Sequence, residues 1–107
     1  MNIMKRVAFK MLLKHGMVEE YVKRHDAIWP EIKKIITDQG VYDYSIFLDS
    51  ETNMLFAVQK VKDGVDARVR DESGIIQRWW DYMADIIESH PDNSPKTADL
   101  IEIFYME

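Results

Sequence analysis

The run Tyr44-Ser45-Ile46-Phe47-Leu48-Asp49-Ser50-Glu51-Thr52-Asn53-Met54-Leu55-Phe56-Ala57-Val58-Gln59-Lys60-Val61 decides the fold. Tyr44, Ile46 and Leu48 alternate with Ser45 and Phe47, and after the polar stretch Ser50–Asn53 a second alternating run extends from Met54 to Val61. Period two on both sides of a short polar turn predicts a β-hairpin. Upstream the period changes. Val18, Tyr21, Val22, His25, Ile28, Trp29, Ile32, Ile35 and Ile36 recur at three and four, which predicts a helix with one buried stripe and Gly40 as its stop. Pro30 lies within that pattern, lacks an amide proton and clashes with the preceding turn, so the helix should kink or restart around Ile28–Trp29. Before it, Val7, Phe9, Met11 and Leu13 alternate with their neighbours and predict a first strand over Arg6–Leu13, closed off by Gly16.

Downstream of the hairpin, Asp63 to Asp71 is polar and weakly patterned, a short helix or a loop. Ile75, Ile76, Trp79, Trp80, Met83, Ile86 and Ile87 then resume helical spacing. His90-Pro91-Asp92-Asn93-Ser94-Pro95 is dense in turn formers, and Leu100 to Tyr105 alternates as a closing strand. The order is β-α-β-β-α-β within one domain spanning residues 1–107, an α+β, ferredoxin-like arrangement with an antiparallel four-stranded sheet and its helices on one face. The strands carry apolar residues on both faces: Val7, Phe9 and Met11 against Ala8 and Leu12, and Met54, Phe56 and Val58 against Leu55 and Ala57. No further element is left to cover the second face, so the expectation is a homodimer in which two sheets meet and a cavity lies within each protomer or between them.

Composition excludes several function classes. With 14 Lys and Arg against 19 Asp and Glu the formal charge is -5, and the basic residues are scattered, which disfavours a nucleic-acid partner. No apolar run approaches the ~20 residues of a bilayer span, and Lys5, Arg6 and Lys10 interrupt the N-terminal segment, so neither a membrane partner nor a secretory signal is expected and the protein is placed in the cytoplasm. There is no cysteine, and three histidines are spread without ligand spacing, which removes thiol nucleophiles and argues against a metal. A Gly-rich phosphate loop, a GxSxG elbow and an HExxH helix are all missing from the sequence.

Four aromatic features and one imidazole remain. Tyr21 and His25 stand four apart, so one ligand can touch both, or both can simply belong to the buried stripe. An imidazole with a pKa near 6.5 both gives and takes protons at neutral pH, and a phenol hydroxyl orients a ligand. Trp79 and Trp80, about 100° apart around a helix, cannot both point straight at the sheet; one can face a cavity, as a flat surface for the C–H face of a sugar ring, or both can be core or interface anchors. Tyr44 opens the second strand on its Ile46 and Leu48 face. In the Pro91–Pro95 run, Asp92 and Asn93 can bond their own backbone or reach a ligand.

These residues fall into a pattern: Tyr21-x-x-x-His25-x-x-Ile28-Trp29-Pro30-Glu31, then Asp43-Tyr44-Ser45-Ile46-Phe47-Leu48-Asp49, then Arg78-Trp79-Trp80-x-x-Met83, then Pro91-Asp92-Asn93-Ser94-Pro95. In this the chain resembles the L-rhamnose mutarotases, with the segments in order over nearly its whole length. The resemblance implies a dimeric α/β barrel of ferredoxin-like protomers. It also implies an isomerase that exchanges the α and β anomers of L-rhamnose with no metal or organic cofactor. Carried over by position, His25 is the catalytic residue, giving a proton and taking one back in the return step. Tyr21 and Tyr44 bind sugar hydroxyls, and Trp79 and Trp80 line the side of the methyl-bearing ring. Two readings of other classes stand beside it, a sugar sensor that binds without turnover and a cofactor-independent monooxygenase-like enzyme on the same fold.

Overall fold

The structure, a computed structural model, describes residues 4–64 and 72–107. Seven elements follow in order: β1 (Met4–Leu12), α1 (Val18–Asp26), α2 (Pro30–Asp38), β2 (Val41–Asp49), β3 (Met54–Lys62), α3 (Ile75–Met83) and β4 (Ala98–Leu100). The strands form one sheet in the order β2-β3-β1-β4, with every neighbouring pair antiparallel. This is the split arrangement expected from the alternation of periods.

Pro30 does more than kink the first helix. It divides it, with α1 ending at Asp26 and α2 restarting with Pro30 in its first turn. A residue before proline is pushed out of the helical region, and Trp29 accordingly sits at φ -61, ψ 132, extended. In α1, Glu19 and Glu20 occupy the first turn and Lys23 and Arg24 the last, charges that complement the helix dipole. At the end of α2, Gly40 turns the chain at φ +89, and a Cβ there would press on the Lys62 side chain at 3.3 Å. The left-handed backbone favours glycine at this stop, and a Cβ would also ask the Lys62 side chain to give way by a few tenths of an ångström.

The hairpin turn is held by Asp49. Its carboxylate accepts from the Glu51 amide at 3.0 Å and the Thr52 hydroxyl at 2.9 Å, and Asn53 takes the left-handed position at φ 61. Strand β2 starts three residues earlier than the alternation marks, because it contains a bulge. Tyr42 pairs with Lys60 and Ser45 with Val58, so Asp43 and Tyr44 together oppose Gln59. Asp43 takes the extra residue's strained conformation at φ 48, tolerable for aspartate. The slip of one residue lets Val41, which pairs with Val61, and Ile46, which pairs with Ala57, face the same side although five positions separate them.

On that side the helices close over the sheet. Met11, Leu13, Tyr21, Ile32, Leu55, Ala57, Ile76, Trp79, Met83, Ile86 and Ile87 form one core. Helix α3 ends at Met83, earlier than its apolar spacing implies. Ile87 instead bridges Leu13, and Ile86 accepts from the Lys14 amide at 2.9 Å. The segment 65–71, most of the polar stretch read as a short helix or loop, lies outside the described residues.

The closing strand is a correction. Only Ala98–Leu100 pairs with β1, opposite Lys10, Phe9 and Ala8. The alternating residues after Leu100 make no ladder, since a strand exists only where a neighbour takes its backbone bonds. Ile103 is 94% exposed, and Ile101, Phe104 and Met106 are exposed beside it. The outer face of the sheet carries Leu12, Phe47 (61% exposed) and Leu100, with Met54, Phe56 and Val58 half-buried among them. No described element of this chain covers that face.

Candidate active site

Between the inner face of the sheet and the helices lies a cavity of about 1160 Å³, slightly above the ~300–1,000 Å³ usual for small-molecule sites. Its floor is the sheet, through Phe9, Met11, Tyr44, Ile46, Leu55 and Gln59. Tyr21, Val22 and His25 of α1 make one wall, and Trp79, Trp80 and Met83 of α3 another. His90, Ser94, Pro95, Thr97 and Asp99 stand around its rim. The five residues singled out in the sequence, Tyr21, His25, Tyr44, Trp79 and Trp80, therefore all line one space within one protomer. Both tryptophans reach it, Trp79 buried and Trp80 half-buried. His15 is exposed away from it.

His25 is held from three directions. Its Nδ1 lies 3.1 Å from the Tyr21 carbonyl oxygen one turn back. A carbonyl only accepts, so Nδ1 carries the proton and Nε2 is left with its lone pair. The Tyr21 ring stacks on the imidazole at 4.2 Å and 24°, and the Trp79 indole meets it edge-on at 5.6 Å and 81°. Burial between these rings lowers the pKa of His25 below its ordinary value, against smaller opposing effects of the Tyr21 carbonyl and Asp26. The imidazole is thus neutral at physiological pH.

The tyrosines are neutral for the same reason. Burial pushes the Tyr21 phenol far up, and the nearby Tyr44 oxygen adds to the rise. Tyr44 is 38% exposed as a residue, yet its hydroxyl end is turned inward, where burial raises its pKa to about 12 while hydrogen bonding from Gln59 works the other way. Both hydroxyls remain uncharged and can donate or accept.

Sequence reading passed over several residues that pack behind the walls. Trp29 packs edge-on against Trp79 at 5.1 Å and stacks on Tyr82 at 5.7 Å. Arg24, next to His25 and only 11% exposed, bonds Glu20 at 2.9 Å, the Tyr82 carbonyl at 2.6 Å and Asp85 at 2.8 Å, and lies over the Tyr82 ring at 4.4 Å. It ties α1 to the end of α3. The i, i+3 spacing of Trp79 and Tyr82 was the available signal for the aromatic cluster behind the wall. The Pro91–Pro95 turn has a structural role. Asp92 accepts from the Ser94 amide and hydroxyl, Asn93 turns at φ 70, and the Asn93 amide donates to Asp81 at 3.0 Å, which fastens the turn to α3.

Chemically the site offers the neutral His25 imidazole, the neutral Tyr21 and Tyr44 hydroxyls and a wall of flat aromatic surface, with further polar groups such as His90 and Asp99 also in its lining. Among the described lining residues there is no arginine, and Lys33 is the one lysine, so nothing there clamps a phosphate or carboxylate. Among the described residues no three His, Cys, Asp or Glu side chains gather as a metal site would require.

Comparison with known proteins identifies the family. The family model described as L-rhamnose mutarotase matches residues 6–106. An L-rhamnose mutarotase of Phocaeicola vulgatus is 58% identical over 97% of this chain and 100% of its own length. One of Bacteroides thetaiotaomicron is 54% identical over the same shares. Among solved structures, the crystal structure of an L-rhamnose mutarotase from Formosa agariphila superposes with a TM-score of 0.82 at 47% identity, covering 96% of this chain and 99% of that one.

Proposed function

The chain belongs to the L-rhamnose mutarotase family, and from that membership we propose that it interconverts the α and β anomers of L-rhamnose in the cavity beneath the sheet, with His25 as acid and base. The observation that carries the assignment of roles is the neutral imidazole whose Nδ1 is committed to a carbonyl and whose Nε2 is free. The reaction needs only proton movement. Nε2 takes the proton from the anomeric hydroxyl, C1 becomes a carbonyl as its bond to the ring oxygen breaks, and the imidazolium returns the proton to that oxygen. After rotation about C1–C2 the same steps run backwards on the other face, with no net change in protons or electrons. In this reading His25, neutral at rest, accepts first and donates second, where the resemblance implied giving first.

Tyr21 and Tyr44 hold ring hydroxyls, and Trp79 and Trp80 flank the methyl-bearing side of the sugar. Positioned acid/base groups contribute ~10²–10⁴-fold, enough for a reaction that proceeds slowly unaided. The protein works as a homodimer in the cytoplasm on free sugar, the outer faces of two sheets covering one another across Phe47, Phe56 and Leu12. The first experiment is exchange NMR on equilibrated L-rhamnose, following magnetisation transfer between the two anomeric protons. Enhanced transfer for L-rhamnose and none for D-glucose is the expected result. Binding without enhanced transfer would make the protein a sensor and overturn the enzymatic reading.

A further inference from the structure

On the inner face of β3 the residues alternate Leu55, Ala57, Gln59, Val61, all buried. Three are apolar. Gln59 is the exception, a polar side chain 2% exposed on a central strand, cross-strand from Val7 and lining the cavity. Tyr44 stands opposite it on β2, near enough for the Gln59 amide to act on the Tyr44 phenol. Its Oε1 has no partner among the described residues.

Exchanging the amide's oxygen and nitrogen does not repair this. A primary amide presents an acceptor at one end and donors at the other, and Tyr44 can satisfy only one end. Whichever way the group is turned, the other end is left without a partner. Its inward-facing strand neighbours Leu55, Ala57, Val61 and Val7 have no side-chain polar atoms. The missing partner therefore has to come from the cavity side. An aromatic or aliphatic ligand would leave the amide as it is. A hydroxyl fits either orientation, since it both donates and accepts, and the terminal torsion of glutamine is soft enough to tilt the amide toward it.

We propose that Gln59 is a further sugar-binding residue, holding Tyr44 with its amide N–H and accepting a hydrogen bond from one ring hydroxyl of the substrate with Oε1. This rests on the sugar-isomerase reading above and assigns to that site a specificity contact. Because a buried polar group left unpaired is unfavourable, the free protein carries a strain that only a correctly placed hydroxyl relieves. A sugar lacking that hydroxyl then loses more than one ordinary contact.

The test uses binding as well as turnover, so that it stands apart from the test of catalysis. Wild-type protein and Gln59→Met, close in length but without hydrogen-bonding groups, are titrated with L-rhamnose and its monodeoxy analogues, and anomer exchange is followed in parallel. The expected result is that wild type prefers L-rhamnose over one particular analogue by about tenfold, and that Gln59→Met loses that preference for that analogue alone. The variant should also be no less heat-stable than wild type in the absence of sugar. If it keeps the wild-type preference across the panel, the proposal is wrong. Should Gln59→Met fail to fold, Gln59→Leu is titrated in its place. On the wild-type protein, the side-chain ¹⁵N–¹H signals of Gln59 should move on adding L-rhamnose and move less with the critical analogue; equal shifts with every sugar overturn the contact. Failure of wild type to speed exchange would strike the enzymatic reading and leave the binding result standing.

Discussion

His25→Asn separates what the imidazole holds from what it does. Asparagine carries its amide nitrogen one bond from Cγ, as histidine carries Nδ1, so the variant can still donate to the Tyr21 carbonyl that Nδ1 now reaches at 3.1 Å. It loses the Nε2 lone pair and the ring stacked on Tyr21 at 4.2 Å. Losing the ring contact costs ~0.5–1.5 kcal/mol, and at roughly 4–8 °C per kcal/mol for a chain of this size the melting temperature should fall by several degrees. Loss of the base should remove ~10²–10⁴ of the rate, about 3–5 kcal/mol of barrier. The assay pairs thermal unfolding with the L-rhamnose exchange rate, and binding is followed by tryptophan fluorescence from Trp79. A variant that folds, binds sugar and has lost nearly all enhancement is the expected outcome. Exchange within threefold of wild type in that folded variant would refute the assignment of the proton transfers to His25.

Since burial lowers the pKa of His25, the base form persists below pH 6.5, and kcat/KM should hold there and decline only at lower pH. Stability has a matching sign. The unfolded chain binds the proton more readily than the folded one, so His25 makes the fold less stable as pH falls below the ordinary histidine value, visible as a falling Tm in wild type that is weaker in His25→Asn. Arg24→Ala removes the link from α1 to Asp85 and the Tyr82 carbonyl; with Asp85 67% exposed, the loss should be about 1–2 kcal/mol in calorimetry, with a rise in KM as α1 loosens from α3. Phe47→Glu places a charge on the outer sheet face where Phe47 is 61% exposed; light scattering should show the dimer shifted to monomer, and an unchanged dimer would mean that the sheets do not meet there.

The parts of this fold legible in the sequence are those in which one residue's physics settles the local conformation. Pro30 announces the break between α1 and α2, Gly40 the turn into β2, and Asp49 with Asn53 the hairpin. Where geometry depends on a distant partner, the pattern misleads. Leu100–Tyr105 alternates like a strand, but only the residues opposite Ala8, Phe9 and Lys10 find one to pair with. The apolar spacing of Ile86 and Ile87 continues that of α3, yet they are buried through contacts with Leu13 and Lys14 after the helix has ended. The bulge did leave a trace, because Val41 and Ile46 are five apart and a regular strand would send them to opposite faces. Gln59 left one too, a polar residue at an inward position of an otherwise apolar alternation.

Two irregularities of the backbone, the Asp43 bulge and the break at Pro30, lie near the cavity, and each sets a packing that regular geometry would not. Without the slip at Asp43 the hairpin register would set Val41 opposite Lys62 and facing outward; with the bulge it pairs with Val61 on the inner face, beside Tyr44, which stands across from Gln59 over the floor. Without Pro30, the helix would run on through Trp29; because Trp29 is held extended, its indole turns onto Trp79 at 5.1 Å, and Trp79 in turn meets His25 at 5.6 Å. One proline thus supports the ring that helps to keep the imidazole dry and neutral. One strained aspartate returns Val41 to the cavity side of the sheet. His25, the base proposed above, itself sits on an ordinary helical turn, so the shape of the site comes from the elements around it and not from the position of that imidazole.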